Sequence, residues 1–257
     1  MIDVSMDPFD AWLSALEARH LADLRVPEVT RALRALSSAY VERRHKVASG
    51  ATLDSAGKRA AFALFYGPLH FLTVAHVVRE LGAAVQAPGT IVDLGCGTGV
   101  AGAAWALEAG ATPFVTGIDR HPWAVEETRW TYRQLGLRGH GGTGDLTRVP
   151  KTSRGSAIVA AYALNELAPD ARLRVEGRLL DAAASGTRVL IVEPIARGIT
   201  PWWQEAAKRI AAAGGRADEW RFSVDLPPLL RLFDKAAGLN HRELTARTLY
   251  LPGARAA

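Results

Sequence analysis

Four residues at the end of an apolar run have the types and spacing needed to bind a nucleotide-like ligand. Asp93 closes the run, and Gly95, Gly97 and Gly99 follow at every second position. Glycine permits positive backbone dihedral angles and has no side chain, so the chain can turn tightly and bring its amides against a ligand. Because the helix-like segment from Val100 comes next, the pattern predicts a buried strand, a binding turn and the start of a helix.

The spacing of Asp93, Gly95, Gly97 and Gly99 resembles the first motif of class I S-adenosylmethionine-dependent methyltransferases. The resemblance implies S-adenosylmethionine as the cofactor and a Rossmann-like, doubly wound α/β sheet of seven strands. It also implies that the glycines wrap the amino-acid and sugar portions of the cofactor, while Asp93 supports the turn or faces the ammonium group. Cys96 lies inside the turn, where we interpret it as a small packing residue rather than a nucleophile.

A second fingerprint overlaps the first one. The segment Gly97–Gly102 also fits the G-x-G-x-x-G pattern of dinucleotide-binding enzymes, and Asp119 follows at the distance of about 20 residues that the pattern expects. In that pattern the first glycine closes the strand, whereas here Gly95 already does so. The placement favours the methyltransferase interpretation and leaves a nicotinamide- or flavin-dependent oxidoreductase as the alternative.

Ligands of open α/β sheets lie over the carboxyl ends of the strands, so residues just after each predicted strand are the candidate cofactor ligands. Asp119 ends the predicted second strand, and its carboxylate can accept hydrogen bonds from two ribose hydroxyls. Asp145 and Leu146 resemble the place where the superfamily holds adenine, and a simple turn aspartate is the alternative. The predicted cofactor-binding residues are Asp93, Gly95, Cys96, Gly97, Gly99, Asp119, Arg120, Asp145, Leu146 and Tyr162.

Asn165, Glu166 and Glu193 are the predicted catalytic residues. The segment Ala161–Leu167 follows the fourth predicted strand, and the resemblance implies that it faces the methyl group and the acceptor. We nominate Glu166 and Glu193 as general bases, with a capping or salt-bridge role as the alternative for each. The expected reaction is in-line attack of an acceptor nitrogen, oxygen or carbon on the sulfonium methyl, with proximity and orientation supplied by the protein. The segment lacks the Asn-Pro-Pro-aromatic motif of enzymes that methylate planar amines, which disfavours that acceptor class.

The composition predicts a soluble cytoplasmic protein without a metal site. The chain has 257 residues, of which 49% are hydrophobic, and no uninterrupted apolar run of about 18 residues occurs. The first residues are acidic rather than basic, unlike an export signal. Cys96 is the single cysteine and the histidines show no metal-ligand spacing, so we predict no metal and no membrane association.

Positive charge is concentrated in residues 31–59, and the whole chain carries a net charge of +5. Clustered arginine and lysine side chains can neutralise phosphates, so this segment is a candidate for RNA contact. A solvated helical face is the alternative. The basic residues of the segment are Arg31, Arg34, Arg43, Arg44, Lys46, Lys58 and Arg59, against Glu42 and Asp54.

Four short segments together resemble a narrower group, the methyltransferase-like proteins associated with the mitochondrial small ribosomal subunit and their bacterial relatives. The segments are Ala39–Arg44, Asp93–Gly97, Ala161–Leu167 and Val192–Pro194. This resemblance implies a helical N-terminal element and binding to ribosomal RNA. The family carries a cysteine cluster beyond the fifth strand, which this chain lacks. The expected function is therefore methyl transfer to a small-molecule or RNA acceptor, with a weakly catalytic or non-catalytic RNA or ribosomal assembly factor as the alternative.

The predicted elements supply the frame for these residues. Apolar residues at helical spacing fill the first third, which predicts a helical N-terminal cap over residues 1–86 with a kink at Gly67-Pro68. Strands and helices alternate over residues 87–257, the predicted cofactor-binding domain. Strands are predicted near Thr90–Leu94, Phe114–Ile118, Ala157–Ala161, Val189–Val192 and Leu244–Leu251, with weaker ones before Asp145 and around Arg221–Val224. Helices are predicted near Ala101–Ala109, Pro122–Leu135, Pro169–Ala184, Pro201–Ala213, with Thr200 as its N-cap, and Pro228–Ala237.

Overall fold

The computed structural model describes residues 7–42, 53–196, 198, 200–239 and 241–253, without the side chains of residues 38–42. Arg43, Arg44, Lys46 and Arg197 lie outside this range. The elements, in chain order, are α1 (Pro8–His20), α2 (Val26–Glu42), α3 (Ala56–Ala61), a π-helical turn (Phe62–Tyr66), α4 (Gly67–Glu80), β1 (Thr90–Leu94), α5 (Val100–Glu108), β2 (Phe114–Asp119), α6 (Pro122–Gln134), β3 (Gly139–Thr143), β4 (Ala157–Ala161), a 3₁₀ turn (Leu164–Glu166), α7 (Pro169–Ala184), β5 (Arg188–Glu193), α8 (Trp203–Ala212), β6 (Arg216–Ser223), α9 (Pro228–Ala236) and β7 (Glu243–Leu251).

The chain divides into two compact units that do not follow the predicted domain boundary. The first comprises residues 1–69 and 225–242, and the second residues 70–224 and 243–257. The second unit therefore starts inside α4, whereas the predicted boundary lies at residue 86. Residues 70–80 group with the sheet because their side chains contact it, as in the stacking of His76 on Phe222 with ring centroids 3.8 Å apart.

Helices form the first unit around an apolar interior. Asp7 caps α1 by accepting a hydrogen bond from the Phe9 amide at 2.8 Å, which satisfies one of the free amides of the first turn. The late helix α9 joins this unit, where the Arg34 side chain donates to the Ala236 carbonyl at 2.8 Å. The buried residues of α1 and α2 recur at helical spacing and are Trp12, Leu13, Leu16, Val29, Leu33 and Leu36.

Helical structure continues through Gly67-Pro68, where the sequence predicts a kink. Residues 56–80 form one helical run, and a π-helical turn precedes Gly67. The Gly67 amide donates to the Phe62 carbonyl, five residues back. Pro68 has no amide hydrogen, and the wider turn before it accommodates the missing donor without ending the helix.

The helical run 56–80 is also, among the described residues, the one helix with the length and apolar composition of a membrane span. Most of this stretch is buried within the protein. A buried core helix has the same composition as a spanning helix, so packing in the interior accounts for its apolar character.

The second unit is built on a seven-stranded sheet of order β3-β2-β1-β4-β5-β7-β6. β7 is antiparallel to both of its neighbours, β5 and β6, while β1 pairs in parallel with β2 and β4. The sheet and the N-terminal helices confirm the predicted class I methyltransferase architecture. A dinucleotide-binding sheet has the order 3-2-1-4-5-6 instead, so the inserted antiparallel strand disfavours the oxidoreductase alternative.

The strand order changes direction at β1, and open α/β sheets bind their ligands at such a point. The chain adds β2 and β3 on one side of β1, and β4 and β5 on the other. The loops that follow β1 and β4 leave the sheet in different directions, so the carboxyl ends of these two strands are where a ligand is expected.

Apolar side chains cover the central strands, as expected for parallel strands flanked by helices. Trp203 of α8 is 4% exposed and packs into the same core as β4, β5 and α7. The predicted N-cap at Thr200 is wrong, because Trp202 occupies the cap position and no side chain caps α8. The main core residues of this cluster are Leu94, Ile158, Leu164, Val175, Leu179, Ile191, Ile210 and Leu249.

Candidate functional site

The glycine turn after β1 has the backbone conformation that its sequence predicts. Gly95, Gly97 and Gly99 have φ angles of +67°, +54° and +79°. Other residue types adopt this region at an energetic cost. The amides of Gly95 and Cys96 both donate to the Ile118 carbonyl, at 2.8 and 3.1 Å, which ties the turn to the end of β2.

The turn also has no room for side chains. A Cβ atom on Gly95 would lie 2.8 Å from the Cβ of Ala163 and 3.3 Å from Cδ2 of Leu146. A Cβ atom on Gly99 would lie 2.8 Å from Cγ2 of Thr128. The glycines therefore let three segments meet closely: the turn itself, the loop after β3 and the loop after β4.

Asp93 lies beneath this turn and holds the start of α5. Its side chain is 1% exposed, and its Oδ2 atom accepts a hydrogen bond from the Gly102 amide at 2.8 Å. Its Oδ1 atom is buried without a hydrogen-bond partner among the described residues. Burial raises the pKa of Asp93 to about 7, against the lowering effect of the Gly102 amide. Asp93 was predicted either to support the turn or to face the ammonium group of the cofactor. Its hydrogen bond to the Gly102 amide is of the supporting kind.

Asp119 joins the end of β2 to the glycine turn. Its Oδ2 atom accepts from the Gly97 amide at 2.9 Å, and Oδ1 accepts from the His121 amide at 2.8 Å. A carboxylate has about four lone-pair positions, so two acceptor positions are left for further donors such as vicinal hydroxyls. The side chain is partly exposed, and the neighbouring Arg120 is exposed.

The predicted adenine segment forms a tight turn beside the glycines. The Oδ1 atom of Asp145 accepts from the Thr147 amide at 2.8 Å, and this hydrogen bond lowers the pKa of Asp145. Leu146 packs at the edge of the core, next to the position of Gly95. An exposed carboxylate and an apolar side chain therefore lie together near the glycine turn.

The Cys96 thiol faces the interior. Its Sγ atom lies 3.2 Å from Oγ1 of Thr128, and burial raises the pKa of the Cys96 thiol well above its ordinary value. A protonated, buried thiol is a poor nucleophile. The contacts thus correspond to the packing role that the sequence predicts.

The loop after β4 begins with a strained residue. Tyr162 has a φ angle of +57°, and its amide donates to the Val192 carbonyl at 2.7 Å. Its ring stacks on that of His70, with centroids 3.8 Å apart and an interplanar angle of 16°. Burial lowers the pKa of His70 to about 3, so this imidazole is neutral, and the Tyr162 hydroxyl hydrogen-bonds to Thr73.

His70 and Thr73 are site residues that the sequence did not predict. Both belong to α4, which precedes the sheet in the chain, and their spacing of three places them on one helical face. That spacing was a usable signal, but Tyr162 could be identified as the partner only from the fold.

Glu193 and Asn165 form a buried clamp between β5 and the 3₁₀ turn. Glu193 is fully buried, its Oε1 atom accepts from the Asn165 amide at 3.1 Å, and its Oε2 atom accepts from Asn165 Nδ2 at 2.5 Å. The Leu164 amide also bonds the carboxylate. Burial nevertheless raises the pKa of Glu193 to about 8, because desolvation outweighs these hydrogen bonds.

Glu166 follows this clamp directly and has different surroundings. It is partly exposed and interacts electrostatically with Arg120 and Asp119, the residues at the end of β2. Burial raises the pKa of Glu166 to about 7, and the Arg120 charge opposes the shift. The structure thus brings all three predicted catalytic residues together but gives the two glutamates different contacts.

Two more side chains that the sequence did not single out border the clamp. The guanidinium of Arg172 lies 4.8 Å from the ring centroid of Trp202, and it interacts electrostatically with Glu193. Arg247 is 2% exposed, lies 5.1 Å over the Trp203 ring and donates to the Ile195 carbonyl. Arg172 thus places a positive charge near the Glu193 carboxylate at the end of β5.

The described residues contain no group of three or more histidine, cysteine or acidic side chains that could hold a metal ion. The described donors at the strand ends suit an organic ligand instead. Backbone amides at positive φ, the Asp119 carboxylate and the Leu146 side chain can contact an amino acid, a ribose and a base, respectively. The residues present therefore fit S-adenosylmethionine.

Comparisons with known proteins find a matching family model and solved structures with a similar fold. Residues 91–186 match a family model described as a methyltransferase domain, and no curated protein matches the chain. Mitomycin 7-O-methyltransferase shares 16% identity with a TM-score of 0.51, over 97% of this chain and 74% of that one. Magnesium protoporphyrin IX methyltransferase from Synechocystis PCC 6803, with bound SAM, shares 16% identity with a TM-score of 0.48, over 96% and 98% of the two chains.

The domain match and the sheet order support a class I S-adenosylmethionine-dependent methyltransferase, with S-adenosylmethionine as its cofactor. At 16% identity, the likeness to mitomycin 7-O-methyltransferase shows a shared fold. None of these matches bears on the narrower resemblance to ribosome-associated proteins, which stays a prediction.

Proposed function

We propose that this protein transfers the methyl group of S-adenosylmethionine to a small-molecule acceptor bound beside Glu166. The observation that carries the proposal is the bond between Asp119 and the Gly97 amide, because it joins a carboxylate suited to ribose to a turn suited to the amino-acid end of the same ligand. Both lie at the carboxyl ends of adjacent strands, β1 and β2. When bound, S-adenosylmethionine supplies a methyl group that is already activated on a sulfonium.

The residues of this chain would then bind and orient the reactants. Asp119 would accept the ribose hydroxyls, while Asp145 and Leu146 would border the adenine. Tyr162, fixed by its stacking on His70, would form the wall between cofactor and acceptor. Holding two reactants in an aligned pair can account for about 7–11 kcal/mol of a barrier, so orientation is the main contribution we assign to the protein.

Glu166 is the general base in this proposal. It is partly exposed, lies in the loop after β4, and has a pKa raised by burial to about 7, close to the pH at which a base works best. An acceptor hydroxyl or amine would give its proton to Glu166 as the carbon–sulfur bond breaks. An acceptor that is already unprotonated would need no base.

A small-molecule acceptor is preferred over RNA because three of the four described basic residues of segment 31–59 bond the protein itself. Arg34, Lys58 and Arg59 each contact an oxygen of the same chain at 2.8 to 2.9 Å. The partners are Ala236 O, Asp54 Oδ1 and Leu53 O. The assembly-factor alternative predicts RNA binding that weakens steeply with salt and survives loss of the cofactor.

Calorimetry with S-adenosylmethionine tests the cofactor site. We expect Asp119→Asn to weaken binding by at least about tenfold, since it removes an acceptor from the Gly97 amide and from the ribose. Asp181→Asn, at an exposed position of α7, is the matched control and should bind like the wild type. Wild-type protein that binds no S-adenosylmethionine would contradict the proposal.

Methyl transfer is tested by the formation of S-adenosylhomocysteine with a panel of small hydroxyl and amine acceptors and with ribosomal RNA fragments. Glu166→Gln should bind the cofactor normally and lose about 10²- to 10⁴-fold in turnover. Methyl transfer to RNA fragments and to none of the small molecules would favour an RNA acceptor. The predicted cytoplasmic location stays a proposal that cell fractionation can test.

A further inference from the structure

Glu193 and Asn165 contact each other in a way that leaves little of the Glu193 carboxylate for chemistry. Three donors bind its two oxygens: the Asn165 amide, the Asn165 side chain and the Leu164 amide. The side chain is fully buried, so no reactant in solution reaches it. A general base must come within hydrogen-bond reach of the proton that it removes, and these contacts block that approach.

The same contacts fix the short turn that carries Glu166. The 3₁₀ turn Leu164–Glu166 has two backbone bonds of its own, Glu166 N to Ala163 O at 3.3 Å and Leu167 N to Leu164 O at 3.2 Å. Bonds of this length hold a single turn weakly. The clamp attaches two of its three residues to the end of β5, a central strand of the sheet.

We propose that Glu193 is a positioning residue, which acts through Asn165 to hold Glu166 beside the transferring methyl group. This inference rests on the proposed function, because it assumes that Glu166 is the group at the methyl. It separates two residues that otherwise look like equivalent candidate bases. No proton passes through Glu193 in this arrangement, and the acceptor proton goes to the Glu166 carboxylate alone.

The charged groups that face Glu193 agree with a buried support. Glu166 and Tyr162 approach it from the loop after β4, and Arg172 approaches it from α7. Arg172 offers a compensating positive charge, and the Tyr162 hydroxyl is neutral because burial raises its pKa. An amide in place of the Glu193 carboxylate would therefore preserve the support if it preserved the hydrogen bonds.

Two cofactor analogues test the proposal without a known acceptor. Sinefungin carries an amine where S-adenosylmethionine carries its sulfonium methyl, and S-adenosylhomocysteine carries neither. A carboxylate held at the methyl position should make wild-type protein prefer sinefungin, by about tenfold at pH 8 where Glu166 is largely ionised. The ratio of the two dissociation constants, measured by calorimetry, is the readout.

Four variants separate positioning from catalysis and from a general structural effect. Glu166→Gln should abolish the preference for sinefungin. Asn165→Leu, which keeps the size of the amide but has no donor, should lower the preference about fivefold or more and leave S-adenosylhomocysteine binding within about threefold. Glu193→Gln should keep most of the preference, since the Asn165 amide can rotate to accept a hydrogen bond from the glutamine. Asp181→Asn is the control.

Each outcome has a defined meaning. If Asn165→Leu keeps the full preference, or weakens both analogues equally, the clamp does not position Glu166 and the inference fails. If Glu193→Gln abolishes the preference while Glu166→Gln keeps it, Glu193 is the acid at the methyl and the inference is overturned. If wild-type protein binds both analogues equally well, Glu166 is not at the methyl, and the proposed base fails together with its support.

Discussion

The two glutamates of the candidate site show how neighbours decide the role of a carboxylate. Burial raises the pKa of both Glu166 and Glu193, to about 7 and about 8. Glu193 has its oxygens bound by amide donors, whereas Glu166 is partly exposed and faces Arg120. A raised pKa alone therefore does not identify a base. The accessibility of the oxygen atoms separates the candidate base from its support.

Gly95→Ala tests whether the glycine turn needs its conformation as well as its space. The alanine must adopt a φ angle of +67° and place its Cβ atom 2.8 Å from that of Ala163. We expect the free energy of unfolding to fall by about 1–3 kcal/mol and the affinity for S-adenosylmethionine to fall by at least about tenfold. Chemical denaturation and calorimetry measure the two effects.

Gly177→Ala is the matched control for that substitution. Gly177 lies inside α7, and a Cβ atom there meets no described heavy atom within 4 Å. Alanine should raise the free energy of unfolding by about 0.5–1 kcal/mol, because it is a better helix former than glycine. If Gly95→Ala behaved like Gly177→Ala, the turn would not be the binding element.

Single residues of the site were predictable where a local sequence pattern indicates their position. The glycines and Glu166 follow strand ends, while Asp119 and Glu193 are the last residues of β2 and β5. The pairing of Tyr162 with His70 was not predictable, because the two residues come from elements far apart in the chain. Likewise, only the fold shows that Asn165 donates hydrogen bonds to the Glu193 carboxylate.

At the level of elements, α8 depends on one tryptophan for its packing. Trp203 is 4% exposed and lies in the core with β4, β5 and α7. We expect Trp203→Ala to lower the free energy of unfolding by about 3–5 kcal/mol, since it leaves a large cavity. Urea denaturation with two spectroscopic probes measures the change and checks that unfolding remains two-state.

Trp202 provides the comparison for this prediction. It is partly buried, contacts the same core from its edge, and stacks with Arg172. Trp202→Ala should cost clearly less stability than Trp203→Ala. An equal loss for the two variants would mean that α8 packs through both rings.

The elements were predictable in proportion to the strength of their patterns. Strand β4 and helix α7 begin and end where the sequence predicts, because an apolar run and a proline start mark them clearly. Strand β3 was obscured because it consists of Gly139–Thr143, which contains three glycines. Strand β6 begins at Arg216, earlier than predicted, because alternating polar residues of an edge strand give a weak signal.

At the level of the whole molecule, the order of strands was the feature that the sequence alone could not fix. The resemblance implied seven strands, but only the pairing shows β7 between β5 and β6, antiparallel to both. Such pairings join residues far apart in the chain, and no local pattern records them. The same holds for α9, which lies between β6 and β7 in sequence and yet belongs to the first compact unit.

Three carboxyl groups with raised pKa values should make the stability of the whole protein fall as the pH rises above 6.5. The pKa values of Asp93, Glu166 and Glu193 are raised by burial to about 7, 7 and 8. In the unfolded chain these groups are already ionised, so the folded state binds more protons and loses stability as the pH passes its pKa values. The pKa of His70 is lowered to about 3. This group therefore destabilises the fold only as the pH falls below its ordinary pKa of 6.5, and it adds no pH dependence above that value.

Glu193→Gln isolates one of these contributions. Because glutamine does not titrate, the variant should lose about 2 kcal/mol less unfolding free energy than the wild type between pH 6.5 and 8.5. Urea denaturation at several pH values, without cofactor, measures the difference, and Glu219→Gln at an exposed position of β6 serves as the control. Parallel pH profiles for Glu193→Gln and the wild type would show that Glu193 is ionised in the folded protein at pH 6.5. In that case its hydrogen bonds, together with Arg172, would outweigh the cost of burial.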